Sequence, residues 1–161
     1  MSRELHCYEY VKVPFHEVRE LLTHSGVELF SRATQAATGR ARSLASSLKF
    51  SVAGFEIGRQ VVIRVTGVHP YPEGEHLSSN AIRLDLEWHA ESSKLLFPAM
   101  RASLLASAFG DETRLDLRGT YDPPGGILGS AADLLLGHRI AEASVHRFLD
   151  ELASRLCQEL G

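Results

Sequence analysis

The chain has 161 residues, of which 44% are hydrophobic and 23% charged, and its formal net charge is −3. That length suits one domain and is short for two, and a domain this size buries about 70% of its unfolded surface, so it needs neither a disulfide nor a metal to fold. The acidic balance argues against a protein that grips phosphates: Arg40 and Arg42, near Arg32 and Lys49, read as a solvated basic stretch, and no nucleic-acid partner is expected.

Leu5 to Val13 carries Tyr8, Tyr10, Val11 and Val13, the aromatic and β-branched residues of a strand. Pro14 stops it and suits the first turn of a helix. Phe15, Val18, Leu21 and Leu22 recur at helical spacing, which predicts a short helix from Pro14 to Thr23. Ser25-Gly26 reads as a break. A second short helix is expected from Val27 to Ala37, with Phe30, Ala33 and Ala37 on one side and Gly39 ending it.

A run of strands follows. Leu48, Phe50 and Val52 alternate with Lys49 and Ser51. After Gly54 and Gly58, the segment Gln60 to Val68 sets Val61, Ile63 and Val65 against Gln60, Arg64 and Thr66, with Val62 out of pattern. His69 to Ser79 holds Pro70, Pro72 and Gly74 and reads as a loop. Ile82 to His89 is the clearest strand. Ile82, Leu84, Leu86 and Trp88 face one way, and Arg83, Asp85, Glu87 and His89 the other. This period of two gives one dry and one wet face, the mark of an antiparallel sheet. Leu95 to Phe109 is long and apolar, with Pro98 marking an edge or bend near its start. Gly110-Asp111 turns the chain, and Leu115, Leu117 and Tyr121 alternate with Arg114, Asp116 and Arg118.

Tyr121-Asp122-Pro123-Pro124-Gly125-Gly126 is a rigid turn. From Ile127 onward the period is helical, and Leu134, Ala141, Val145, Phe148, Leu152 and Leu156 fall in one narrow stripe. A helix from about Leu128 to Leu160 would be roughly 50 Å long. Strands in tandem followed by a helix mean an α+β fold. The expected architecture is a single domain over residues 1–161: a curved antiparallel sheet of about six strands wrapped around the long C-terminal helix, with two short helices after the first strand.

Cys7 and Cys157 lie near opposite ends without C-x-x-C spacing, so neither a zinc site nor a disulfide framework is expected, and a reducing cytoplasm fits. The polar start Met1-Ser2-Arg3-Glu4 does not resemble a signal peptide, and no apolar run approaches the ~18 residues of a membrane span. Phosphate-cradling glycine motifs, G-x-S-x-G and H-E-x-x-H are absent. No cofactor is expected.

The element order resembles the START-like, or SRPBCC, helix-grip fold. The turn Tyr121-Asp122-Pro123-Pro124-Gly125-Gly126 is similar to the C-terminal segment of many bacterial members. So is the helix carrying His138-Arg139-Ile140-Ala141-Glu142-Ala143 and Phe148-Leu149, and so is Val13-Pro14 opening the first helix. Many members carry a Trp-rich segment where this chain has Val27-Glu28-Leu29-Phe30. Relatives include lipid-transfer domains and polyketide cyclases, so the resemblance implies a hydrophobic cavity and leaves its use open.

His69, Glu73, Glu75 and His76 have metal-ligand chemistry, but in a proline-containing loop they read more simply as a solvated hairpin tip, and no metal is expected. His16, Glu17 and His24 read as helix-surface residues, and His89 should see water. His138 differs, because helical phase sets it in the apolar stripe between Leu134 and Val145. A histidine there needs a partner, since an unpaired buried polar group costs about 1–3 kcal/mol. Either it pairs with Tyr121 or a backbone carbonyl as a structural group, or it anchors a ligand or acts as an acid/base. Its company favours a neutral ring. Trp88, Tyr121, Phe50, Leu84, Met100 and Leu117 should line the interior with it, as core or as pocket wall. Inward polar groups are otherwise scarce, with Glu9, Tyr8 and Tyr10 ambiguous in facing.

These residues lead to one expectation and two alternatives. The first is binding of an apolar small molecule, such as a lipid, isoprenoid or polyketide, in an internal cavity touching Trp88 and Tyr121. The second is a polyketide cyclase or dehydratase-like enzyme with His138 as acid/base; two inward polar groups within reach of each other would favour it. The third is a ligand-free interaction protein, in which Leu136 and Ile140 on the outer side of the long helix seed a homodimer.

Overall fold

Strand β1, Arg3–Val11, alternates as its side chains demand: Leu5, Cys7 and Val11 are buried, while Glu4, His6 and Tyr8 face solvent. In this computed structural model residues 2–47, 61–69, 80–90, 100–122 and 131–161 are described, with side chains described except at 38–47, 61–62, 89–90, 131–137 and 140. Helix α1 spans Phe15–Ser47, followed by β2 at Val61–His69, β3 at Ala81–Ala90, β4 at Met100–Phe109, β5 at Glu112–Tyr121 and α2 at Ala131–Leu160.

The five described strands form one antiparallel sheet in the order β1-β5-β4-β3-β2. The expected sixth strand, around Leu48 to Val52 with Phe50, lies outside the described residues. Ile82, Leu84, Leu86 and Trp88 of β3 are all buried, as their alternation requires. In β2 a register shift between Val65 and Gly67 puts Gly67 beside Asp85 and Val68 opposite the buried Leu84, although Val68 itself stays 46% exposed. Such a bulge adds one residue to one strand and rotates everything after it.

The two short helices expected after β1 are one continuous helix of 33 residues. Pro14 begins it: its carbonyl accepts from the amides of Glu17 and Val18 at 3.2 and 3.4 Å. Gly26 does not end it, because an amphipathic stripe runs straight through. Phe15, Val18, Leu22, Leu29, Ala33 and Ala37 are all buried, and Gly26 falls at the helical step between Leu22 and Leu29. A Cβ at Gly26 would stand 3.3 Å from the ring of Phe30. Helical side chains lean over the preceding turn, and the ring of Phe30 lies over Gly26 in this way. Gly39 is likewise carried inside the helix; an interior glycine costs only about 1 kcal/mol against alanine.

Helix α2 begins close to the expected start and is about 45 Å long at 1.5 Å per residue. Val145, Phe148, Leu149, Leu152 and Leu156 form its buried stripe. The two helices pack on each other, with α2 also lying along β1 and α1 along β2, so together they cover the inner face of the sheet. Among the described residues no helix is long and apolar enough to cross a membrane.

Candidate functional site

The register aligns Arg3, Tyr121, Met100, Trp88 and Ile63 in one row across the five described strands, on the side facing the helices. Three of the expected site residues, Tyr121, Met100 and Trp88, are therefore direct cross-strand neighbours. Leu117 and Leu84 belong to a deeper row with Cys7 and Leu104. Between the two rows runs Leu5, Gly119, Ala102 and Leu86. Gly119 and Ala102 make the centre of that strip shallow. A Cβ at Gly119 would lie 3.0 Å from Cβ of Ala102 and 3.1 Å from the carbonyl oxygen of Arg101. Phe50 lies outside the described residues.

Trp88 is fixed from both helices. Its indole Nε1 donates to Oγ1 of Thr34 on α1 at 3.2 Å. Its ring meets Phe148 of α2 edge-to-face at 5.1 Å and 90°, and Phe148 stacks on Phe30 of α1. Such aromatic pairs add about 0.5–1.5 kcal/mol beyond area burial.

Tyr121, 2% exposed, ends the row toward β1, with its hydroxyl 2.6 Å from Nδ1 of His138 and the two rings 17° from coplanar. His138 is half-buried on the same stripe as Ala141, Val145 and Phe148. The sequence left two partners open for it, Tyr121 or a carbonyl, and the partner is Tyr121. Arg3 comes within hydrogen-bonding reach of the same phenol. A guanidinium only donates, so toward Arg3 the phenol oxygen is the acceptor, while the donor in the Tyr121–His138 contact follows from the imidazole tautomer. Burial pushes the phenol above its ordinary value of 10, the positive charge of Arg3 opposes the rise, and the carboxylate of Glu142 adds to it. The net direction is upward, so the phenol stays protonated at neutral pH.

Arg3, Thr34 and Glu142 were missed by sequence reasoning. Arg3 had a signal: it is two residues before Leu5 and four before Cys7, hence on the dry face, but the strand was expected to start at Leu5. Thr34 follows Phe30 by four on the buried side of α1. Nothing in the sequence marks Glu142, which is exposed and acts across the gap to β5. Of the ambiguous residues on β1, Tyr8 and Tyr10 face outward, at 54% and 36% exposed, and Glu9 is half-buried on the inner side. Cys7 is buried there, and burial, with Asp116 and Glu9 nearby, pushes its thiol up to about 12.

The opposite face of the sheet bears an open groove of about 680 Å³, lined by His6, Asp85, Glu87, Arg101 and Arg118 among others. Each of these has a polar partner: His6 and Arg118 contact Asp116, Arg101 contacts Glu87, and His69 contacts Asp85. Ion pairs on a wet surface contribute little to stability. His69 is thus bound to Asp85 at 2.8 Å, while Glu73, Glu75 and His76 lie outside the described residues. Among the described residues no three groups are placed to hold a metal ion. His16 and His24 are on the surface of α1, the latter against the carbonyl of Glu20. The side chains of Leu136 and Ile140, and of Leu134 and His89, lie outside the described ones.

No family model matches the chain, and no curated protein matches it. Solved structures do. Ara h 8.0201 matches at TM-score 0.51 and 8% identity, over 98% of this chain and 99% of that one. A conserved protein from Geobacillus kaustophilus matches at 0.49 and 13% identity, over 99% and 98% of the two chains. The ZhuI aromatase/cyclase from Streptomyces sp. R1128 matches at 0.44 and 10%, over 100% and 97%. At such identities the likeness concerns architecture, and the sheet order, the C-terminal helix and the match to Ara h 8.0201 agree: the chain has the START-like helix-grip fold.

Proposed function

We propose that the protein binds an apolar small molecule, of the lipid, isoprenoid or polyketide kind, between the inner face of the sheet and α2. The observation that carries this reading is the pairing of Tyr121 with His138 at one end of the apolar run Met100, Trp88 and Ile63. Ligand sites combine apolar walls with a few placed polar groups that fix orientation. Native mass spectrometry of freshly purified protein tests the proposal, with a co-purified apolar molecule as the expected result. Trp88, the sole tryptophan, provides a second readout, because a molecule entering beside it changes its fluorescence. A clean apo mass together with fluorescence unmoved by any amphiphile would reject binding.

A cyclase- or dehydratase-like reading is favoured by one observation. Two inward polar groups are within reach of each other, with the phenol held protonated as a proton donor and the imidazole able to take a proton. Under that reading His138→Ala abolishes turnover and leaves substrate binding nearly intact. Under simple binding it weakens affinity.

A further inference from the structure

Three elements contribute to the polar end of the row: β1 through Arg3, β5 through Tyr121 and α2 through His138. Arg3 is the residue that narrows the ligand class. It is half-buried, on the helix-facing side of the sheet, in register with Tyr121, which is itself in register with Met100. A guanidinium is always charged, and its planar fork matches a carboxylate with two parallel donors. For a neutral head group, closing the site over that cation removes water from a charge and returns one ordinary hydrogen bond. For an anionic head group the same closure forms a charge-assisted pair.

We propose that Arg3, Tyr121 and His138 form a recognition head for a carboxylate, and that the ligand is an amphiphile whose acidic end sits there and whose apolar body runs along Met100, Trp88 and Ile63. This rests on the binding reading above and specifies it. Glu142 is the opposing charge at this end; it is exposed, and Arg3 acts on the Tyr121 phenol more strongly than it does. From β1 to β2 there are four interstrand steps of about 4.8 Å, a span of about 19 Å. That is the scale of an extended medium-length acyl chain.

The test compares dodecanoate with dodecanol, both below self-association, by Trp88 fluorescence and calorimetry. The wild type should bind dodecanoate about tenfold more tightly, the usual worth of a charged hydrogen bond over a neutral one. Arg3→Leu and Arg3→Gln should each lose about that factor for dodecanoate and leave dodecanol unchanged, with unaltered circular dichroism. Arg3→Lys should recover part of the preference. Equal affinity for acid and alcohol, or a loss in Arg3→Leu that falls on both alike, overturns the carboxylate head while leaving apolar binding intact. If neither compound binds, the binding reading fails and this inference with it.

Discussion

The hydroxyl of Tyr121 and Nδ1 of His138 stand 2.6 Å apart, at the end of β5 and in the first third of α2, although 17 residues separate them. Strand periodicity turns Tyr121 inward with Leu117 and Leu115, and helical periodicity turns His138 toward the sheet with Val145 and Phe148. Each residue solves the other's burial problem, since a phenol or an imidazole enclosed without a partner is costly.

Mutual satisfaction makes the pair non-additive. His138→Leu should cost about 1–3 kcal/mol in urea unfolding, because it takes this partner from the buried phenol, and Tyr121→Phe should cost less, because the half-buried imidazole it leaves is reached by water. The double variant should cost less than the sum of the two, giving a coupling energy of about 0.5–3 kcal/mol in a double-mutant cycle. Strict additivity would mean the contact contributes nothing. In ligand titrations His138→Ala should weaken binding of a polar-headed amphiphile by about 1 kcal/mol.

Thr34→Val tests the anchoring of Trp88 to α1. Valine keeps the shape and removes the oxygen that accepts from the indole Nε1 at 3.2 Å. The expected loss is about 1–3 kcal/mol in unfolding free energy, with a shifted tryptophan emission in the native state. An unchanged spectrum and stability would show that the indole hydrogen bond is dispensable.

Gly119→Ala should overpack the strip between the two inward rows. The new methyl would meet Ala102 and the backbone oxygen of Arg101 at 3.0 and 3.1 Å, and backbone cannot swing away as a flexible side chain does. Overpacking of this kind costs about 1–3 kcal/mol. Adding Ala102→Gly removes one of the two close contacts and should restore part of the thermal stability. Full tolerance of Gly119→Ala would show that the strip has slack.

The thiol of Cys7 predicts an alkaline weakness. Its value rises from 9.0 to about 12 on folding, so the folded state holds the proton more tightly. That contribution to stability is fully present below about pH 9 and is lost as pH climbs toward about 12. Tyr121, also raised, acts in the same direction above 10. Urea midpoints of the wild type should therefore fall through this window, and those of Cys7→Ala should fall less. At neutral pH, alkylation followed by peptide mapping should label the half-buried Cys157 well before the buried Cys7.

What the sequence determined by itself was everything that depends on one element's period. The dry face of β3, the inward turn of Leu115, Leu117 and Tyr121, and the phase that sets His138 in the apolar stripe of α2 follow from spacing alone, because solvent sorts side chains within a strand or helix. The α+β order and the helix-grip architecture follow in turn, since a one-sided sheet followed by a long amphipathic helix has few ways to bury both. Helix α1 marks the limit of that reasoning. Gly26 reads as a break, yet it lies inside the helix with the ring of Phe30 over it, a packing that no local signal announces. Tertiary structure also decided the register. Nothing local states that Arg3 stands beside Tyr121, Met100 and Trp88, because pairing between strands far apart in the chain is fixed by the sum of contacts over the whole sheet. The guanidinium of Arg3 was therefore invisible as part of a site, and so was Thr34 as the acceptor for Trp88. Such long-range partners are chosen by the packing of separate elements, which no single period encodes.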